Sequence, residues 1–80
     1  MNIAPSLSYG YGEINDDIRL IQQRLKTLGY FNDDPTGFFG MYTVETLQAF
    51  ETANTITVDG YADHSDLVLL FSADAKRALR

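Results

Sequence analysis

The segment INDDIRLIQQRLKTLG, residues 14–29, carries the clearest pattern in this 80-residue chain. Its apolar residues recur at alternating steps of four and three, which places them along one face of a helix. They are Ile14, Ile18, Ile21, Leu25 and Leu28. Asn15 or Asp16 is suited to cap the start, and Gly29 supplies the left-handed residue that commonly follows a helix end. The pattern predicts a helix that ends at Leu28 and whose apolar ridge organises the fold.

A second helix is predicted after the glycine-containing segment TGFFGMYT, residues 36–43. Apolar residues then recur at Val44, Leu47 and Phe50, so we expect a helix from about Thr43 to Ala53. Asn54 follows as the residue that tolerates the left-handed conformation at its end.

A third helix is predicted after the turn signal Asp59–Gly60, with Ser65 or Asp66 as its cap. Between the second and third predicted helices, the β-branched run TITV, residues 55–58, favours a brief extended segment.

These patterns predict an all-α fold, a small three-helix bundle with long loops. We expect a flexible tail over residues 1–12, the helical domain over 13–72, and a helical turn or linker over 73–80. Five phenylalanines are expected to supply much of the core: Phe31, Phe38, Phe39, Phe50 and Phe71.

Charge narrows the classes of partner. The net charge is −5, and no Lys or Arg occurs between Lys26 and Lys76, where eight acids lie. Nucleic acids and anionic membranes require cations on the protein surface, so neither is an expected partner. Neutral sugars and ligands with an ammonium group remain open. The first residues lack the basic start and continuous apolar core of a signal peptide.

The sequence contains few of the residue arrangements that are typical of catalytic or metal-binding sites. DHSD, residues 63–66, has the residue types of a hydrolase triad, but adjacent side chains do not converge on one hydrogen-bonded line. The paired acids at 16–17 and 33–34 are interpreted as helix-dipole partners and solvated turn residues. An EF-hand-like loop could start at Asn32, but its twelfth position is Thr43 instead of glutamate. We expect no catalytic residue, no metal and no cofactor.

The remaining candidates are polar and aromatic residues beside the predicted turns. A tyrosine ring can stack on a sugar while its hydroxyl stays hydrated. The candidate ligand-binding residues are Tyr30, Tyr42, Gln48, Asp59 and Tyr61. The alternative for each tyrosine is that its ring closes the edge of the core.

Three motifs together resemble the peptidoglycan-binding domain family of bacterial cell-wall hydrolases and spore-cortex proteins. They are LIQQRLKTLGYF, TGFFGMYT and TLQAFETANTITVDG, within residues 16–71. Gln22 or Gln23 lies near the family's helix-one glutamine, and the other matching positions are Leu25, Leu28, Gly29, Tyr30, Gly37, Phe39, Gly40, Thr43, Phe50, Asp59 and Gly60. The resemblance implies a non-catalytic module that binds the glycan or stem peptide of peptidoglycan and targets an attached hydrolase to the wall. It also implies an extracellular or cell-envelope location and, we expect, a monomer.

Four residues depart from the family's pattern: Thr36, Glu51, Asp63 and Asp66. Glu51 stands where the family has a neutral glutamine, which replaces an amide by a charge. The alternative function is therefore a protein-interaction or spacer module on the same fold that has lost glycan binding.

Overall fold

The computed structural model describes residues 8–78 and contains three helices in that range. They are α1 (Asp16–Thr27), α2 (Met41–Ala53) and α3 (His64–Leu70). α1 packs against both other helices. The all-α prediction is confirmed, and residues 55–58, for which a brief extended segment is expected, form no β-strand.

α1 has the ends that its sequence predicts. The Asn15 side chain accepts a hydrogen bond from the Ile18 N–H at 2.9 Å. At the other end Gly29 has φ +94°, and the Tyr30 N–H returns to the Leu25 carbonyl at 2.9 Å. This arrangement is a Schellman motif, which satisfies carbonyls that the helix itself leaves free.

The core lies along the predicted ridge of α1. Ile18, Ile21 and Leu25 are fully buried, together with Leu47 and Phe50 of α2. Ile14 is the exception, because the chain is still extended before the cap at Asn15. Ile14 forms an isolated antiparallel bridge with Phe38, and its side chain is exposed.

α2 begins two residues before the predicted start and ends as predicted. Gly40 is its N-cap, in extended conformation and without a side-chain hydrogen bond, while Asn54 is its C-cap. The left-handed residue is Thr55, with φ +61°, so the expectation for Asn54 is corrected. Asn54 instead donates from its side chain to the Phe50 carbonyl and accepts from the Lys76 N–H.

α3 also starts slightly earlier than predicted. Its cap is Asp63, whose carboxylate accepts from the Asp66 N–H at 3.1 Å. No described helix is both long and apolar enough to cross a bilayer.

Segments outside the helices also pack against the core. Residues 1–7 of the predicted tail lie outside the described residues, but Tyr9 is buried and exchanges two backbone hydrogen bonds with Ala62. The boundary at residue 12 is therefore corrected for Tyr9. Near the other end, the Ala78 N–H donates to the Leu28 carbonyl at 2.8 Å.

Candidate ligand-binding site

The first turn, residues 36–40, is held in place by Gln22 of α1. The Gly37 N–H donates to Gln22 Oε1 at 2.9 Å. Gln22 Nε2 donates to the Phe38 carbonyl at 2.8 Å and to Thr43 Oγ1 at 3.0 Å. Gly37 has φ +89°, and a Cβ there would lie 2.9 Å from the Asn15 carbonyl oxygen, so the turn requires glycine.

This geometry turns Phe38 away from the core. With its carbonyl directed at Gln22, the Phe38 side chain is 45% exposed, whereas the adjacent Phe39 is fully buried. Phe71, the C-cap of α3, is also partly exposed, at 36%. The predicted phenylalanine core is thus corrected at Phe38 and Phe71, while Phe31, Phe39 and Phe50 are buried.

An open cleft lies between the first turn, the preceding loop and the start of α2. Its volume is about 140 Å³. We call it the aromatic cleft; residues that line it include Phe31, Asp33, Asp34, Phe38, Tyr42 and Thr43. The cleft combines ring faces with two exposed carboxylates, and carboxylates favour ligands of positive charge.

Tyr42 forms one wall of the aromatic cleft. Its ring packs against Phe31 with centroids 5.2 Å apart and a tilt of 33°, and 40% of the residue is exposed. The hydroxyl accepts a hydrogen bond from the Asn32 N–H at 3.0 Å. Both contacts fix the ring while leaving part of it accessible, which is what a stacking surface requires.

The second turn, residues 59–63, is held by Glu51 of α2. Glu51 Oε1 accepts from the Gly60 N–H at 3.0 Å and from the Asp59 N–H at 3.2 Å. Asp59 Oδ1 in turn accepts from the Tyr61 N–H at 2.9 Å. A Cβ on Gly60 would lie 3.3 Å from Gln48 Nε2, so Gln48 covers this turn.

Glu51 is paired with Asp66 inside the protein. Glu51 is 0% exposed and Asp66 is 3% exposed. Burial, together with the neighbouring Asp66, raises the pKa of the Glu51 carboxyl well above its usual range, and burial likewise raises the pKa of Asp66. Carboxylate oxygens of these two residues and of exposed Asp59 lie within 4.8 Å of one another. Two carboxyls enclosed at this depth need a proton or a cation between them.

The five residues predicted from the sequence occupy three places. Tyr42 lines the aromatic cleft, while Gln48, Asp59 and Tyr61 meet at the second turn. Tyr30 is only 8% exposed, its ring stands edge-on to Phe50, and its hydroxyl donates to the Lys76 carbonyl at 2.6 Å. Tyr30 therefore anchors the C-terminal segment, and its prediction as a ligand contact is corrected.

Sequence reasoning missed Phe38, Asp33 and Asp34 as members of the cleft, and it missed the burial of Glu51. Gly37 and Gly40 flank both Phe38 and Phe39, so their spacing does not distinguish the exposed ring from the buried one.

Comparisons with known proteins agree with the three-helix fold. The sequence profile of the putative peptidoglycan binding domain family matches residues 14–67. The crystal structure of the SleB N-terminal domain has a TM-score of 0.82 and 28% identity, covering 86% of this chain and 94% of that one. A search among curated proteins finds no significant match.

Two more distant structures share the fold at 22% identity. One is a peptidoglycan-binding protein from Clostridioides difficile in complex with glutamine hydroxamate, with a TM-score of 0.79, covering 85% of this chain and 42% of that one. The other is a fused Zn-dependent amidase/peptidase/peptidoglycan-binding domain-containing protein from Clostridium acetobutylicum ATCC 824, with a TM-score of 0.80, covering 91% of this chain and 34% of that one. Because the family profile matches more than half of the sequence, this chain belongs to the putative peptidoglycan binding domain family.

Proposed function

We propose that this chain is a non-catalytic module that binds peptidoglycan in the aromatic cleft. The observation that carries the proposal is the cleft itself, where the exposed rings of Phe38 and Tyr42 stand beside the carboxylates of Asp33 and Asp34. Membership of the family supports the class of ligand.

The two kinds of side chain suit two parts of peptidoglycan. The ring faces of Phe38 and Tyr42 offer stacking surfaces for the apolar faces of a sugar. The Asp33 and Asp34 carboxylates attract an ammonium group, such as the free amine of a diamino acid in the stem peptide. No Lys or Arg occurs between residues 27 and 75, so the loop and the start of α2 that carry the cleft's carboxylates and rings contain no cation.

The second turn provides a second set of contacts. Tyr61 and Asp59 are exposed there, and Gln48 lies half-buried beside them. α2 contacts both turns, since Tyr42 and Thr43 line the aromatic cleft while Val44 and Gln48 lie against Gly60. Because the two sets lie at separate turns, a ligand that contacts both must be extended, which suits a glycan better than a small ligand.

The module acts, in this proposal, as a targeting unit for an attached enzyme in the cell envelope. The Clostridium acetobutylicum structure joins a peptidoglycan-binding domain to an amidase/peptidase in one chain. Within the DHSD segment, Asp63 caps α3 and Asp66 is buried beside Glu51, so neither carboxylate is available for a hydrolytic site with His64.

Co-sedimentation with purified sacculi tests the proposal. We expect the protein to be retained, and retention to be lost on addition of soluble muropeptides. Phe38→Ala should weaken retention, whereas Val68→Ala, at an exposed apolar residue of α3, should not. Equal retention of both variants and wild type, or no retention at low salt, would overturn the proposal.

The second candidate is the protein-interaction module, favoured by exposed Val68 on α3 and exposed Phe71 at its C-cap. Apolar side chains on one short helix can form part of an interface. Sedimentation velocity separates the two: we expect a monomer, and a dimer lost in Val68→Asp would favour this second candidate.

A further inference from the structure

The two turns of this domain are held by the same construction. Gln22 Oε1 accepts from the Gly37 N–H at 2.9 Å, and Glu51 Oε1 accepts from the Gly60 N–H at 3.0 Å. Each glycine has positive φ. Thr43 lies six residues after Gly37, and Asp66 lies six residues after Gly60. Glu51 and Asp66 therefore stand in the same positions relative to the second turn as Gln22 and Thr43 do relative to the first turn.

The two turns differ at the other end of the side chain that holds each of them, Gln22 for the first turn and Glu51 for the second. Gln22 Nε2 is a donor and reaches Thr43 Oγ1 at 3.0 Å. The corresponding atoms, Glu51 Oε2 and Asp66 Oδ2, are buried without a hydrogen-bond partner among the described residues. Two ionised carboxylates can only accept, so they would repel each other in a region that water does not reach.

One added proton reproduces the hydrogen bond between Gln22 and Thr43, whereas the second donation of Gln22, to the Phe38 carbonyl, has no counterpart at Glu51. A protonated Glu51 has a carbonyl end that accepts from Gly60 and a hydroxyl end that donates to Asp66, as the two ends of the Gln22 amide do. We propose that Glu51 and Asp66 share one proton and that the pair positions the second turn, which presents Asp59 and Tyr61. The effect on ligand binding rests on the function proposed above, whereas the shared proton does not.

The charges around the pair support a proton. The second turn contributes Asp59 and α3 contributes its cap, Asp63, and both are acidic groups that raise the pKa of Asp66. Arg24 is the basic residue that contacts the C-terminal end of α3. Its guanidinium donates to the carbonyls of Leu70 and Ser72. No described Lys or Arg is hydrogen-bonded to Glu51 or Asp66.

The sign of the resulting pH dependence follows from the folded and unfolded states. Burial raises the pKa of Glu51 from 4.5 to about 9 in the folded protein. Between these values the folded state holds a proton that the unfolded state releases, so stability falls as pH rises. The contribution is fully present below pH 4.5 and lost by pH 9.

Carbon-13 NMR of the Glu51 side-chain carboxyl measures the proton directly. We expect its titration midpoint above pH 7, with the Gly60 amide shift following the same curve. A Glu51 carboxyl that titrates near 4.5, as an exposed glutamate does, would overturn the proposal. This measurement needs no peptidoglycan, so it stands apart from the test of wall binding.

Thermal unfolding of matched variants supplies the second test. We expect the wild-type Tm to fall by at least about 5 °C from pH 5 to pH 8. Glu51→Gln and Asp66→Asn each install a permanent N–H donor, so each should flatten this slope. Glu45→Gln, an exposed glutamate of the same helix, should keep the wild-type slope. Equal slopes in all four proteins would overturn the proposal.

A divalent cation is the competing source of positive charge. Melts at pH 8 with 1 mM calcium, magnesium or zinc chloride, against EDTA, distinguish the two sources. We expect wild type and Glu51→Gln to be unaffected. A rise in wild-type Tm that EDTA reverses and Glu51→Gln abolishes would show a metal ion in place of the proton.

Sacculi binding connects the pair to function. Above about pH 9 we expect wild type to lose retention several-fold while Glu51→Gln retains its binding, since the neutral amide still holds Gly60. Parallel loss in both proteins would remove Glu51 as a positioning residue even if the proton is shared.

Discussion

Gln22 and Gly37 are joined by a buried hydrogen bond of 2.9 Å that fixes the first turn to α1 across 15 residues of sequence. The same side chain also binds the Phe38 carbonyl and Thr43. Replacement by leucine keeps the volume but leaves the Gly37 N–H without its partner. We expect Gln22→Leu to lower the free energy of unfolding by about 2–4 kcal/mol.

Urea denaturation measures this loss, and the adjacent glutamine is its control. Gln23 is exposed, so Gln23→Leu should change stability by less than about 0.5 kcal/mol. If the two substitutions have equal effects, Gln22 does not hold the turn.

The helices were predictable because their signals are local. The Asn15 cap and the Gly29 end of α1 depend on residues within one turn of the helix. The predicted start of α2 lies two residues after the observed start, because the first residues of the helix, Met41 and Tyr42, are exposed and precede the periodic apolar residues. Ile14 continues the spacing in sequence but lies before the cap, so the periodicity alone overstated the ridge.

The site was less predictable because it depends on contacts between distant segments. Nothing near Phe38 in sequence indicates that Gln22 takes its carbonyl and exposes its ring. Tyr30 is buried by the C-terminal segment around Lys76, which lies 46 residues away. Tyr42 was placed at an accessible edge by its position beside a turn, and that inference needed no tertiary contact.

The aromatic cleft should lose affinity when a ring is removed. We expect Phe38→Ala and Tyr42→Ala each to weaken sacculi binding about five- to tenfold, since one stacking contact contributes about 1 kcal/mol. Tyr42→Phe keeps the ring and should bind nearly as wild type. A binding isotherm on sacculi gives the constants. A loss in Tyr42→Phe as large as in Tyr42→Ala would assign the effect to the Asn32 hydrogen bond instead.

The carboxylates of the cleft should select for a free amine. In Asp33→Asn/Asp34→Asn we expect about three- to tenfold weaker binding of a stem peptide with an unblocked diamino acid. An N-acetylated peptide should bind both proteins equally, and added salt should reduce the difference. Glu45→Gln/Asp74→Asn, at two exposed acids outside the cleft, removes the same number of charges and is the control for net charge. If it weakens binding equally, the cleft has no special affinity for the amine.

Thr55 is held in a conformation that suits glycine better. It has φ +61° directly after α2, and the Ile56 N–H beyond it returns to the Glu51 carbonyl at 3.0 Å. A left-handed β-branched residue costs about 1–2 kcal/mol, of which the added freedom of glycine in the unfolded chain offsets about half. We expect Thr55→Gly to raise the free energy of unfolding by about 0.5–1 kcal/mol, seen as a rise in Tm of several degrees. Thr57→Gly, at an exposed position of negative φ, should be neutral or destabilising. A lower Tm in Thr55→Gly than in Thr57→Gly would show that Thr55 is not strained.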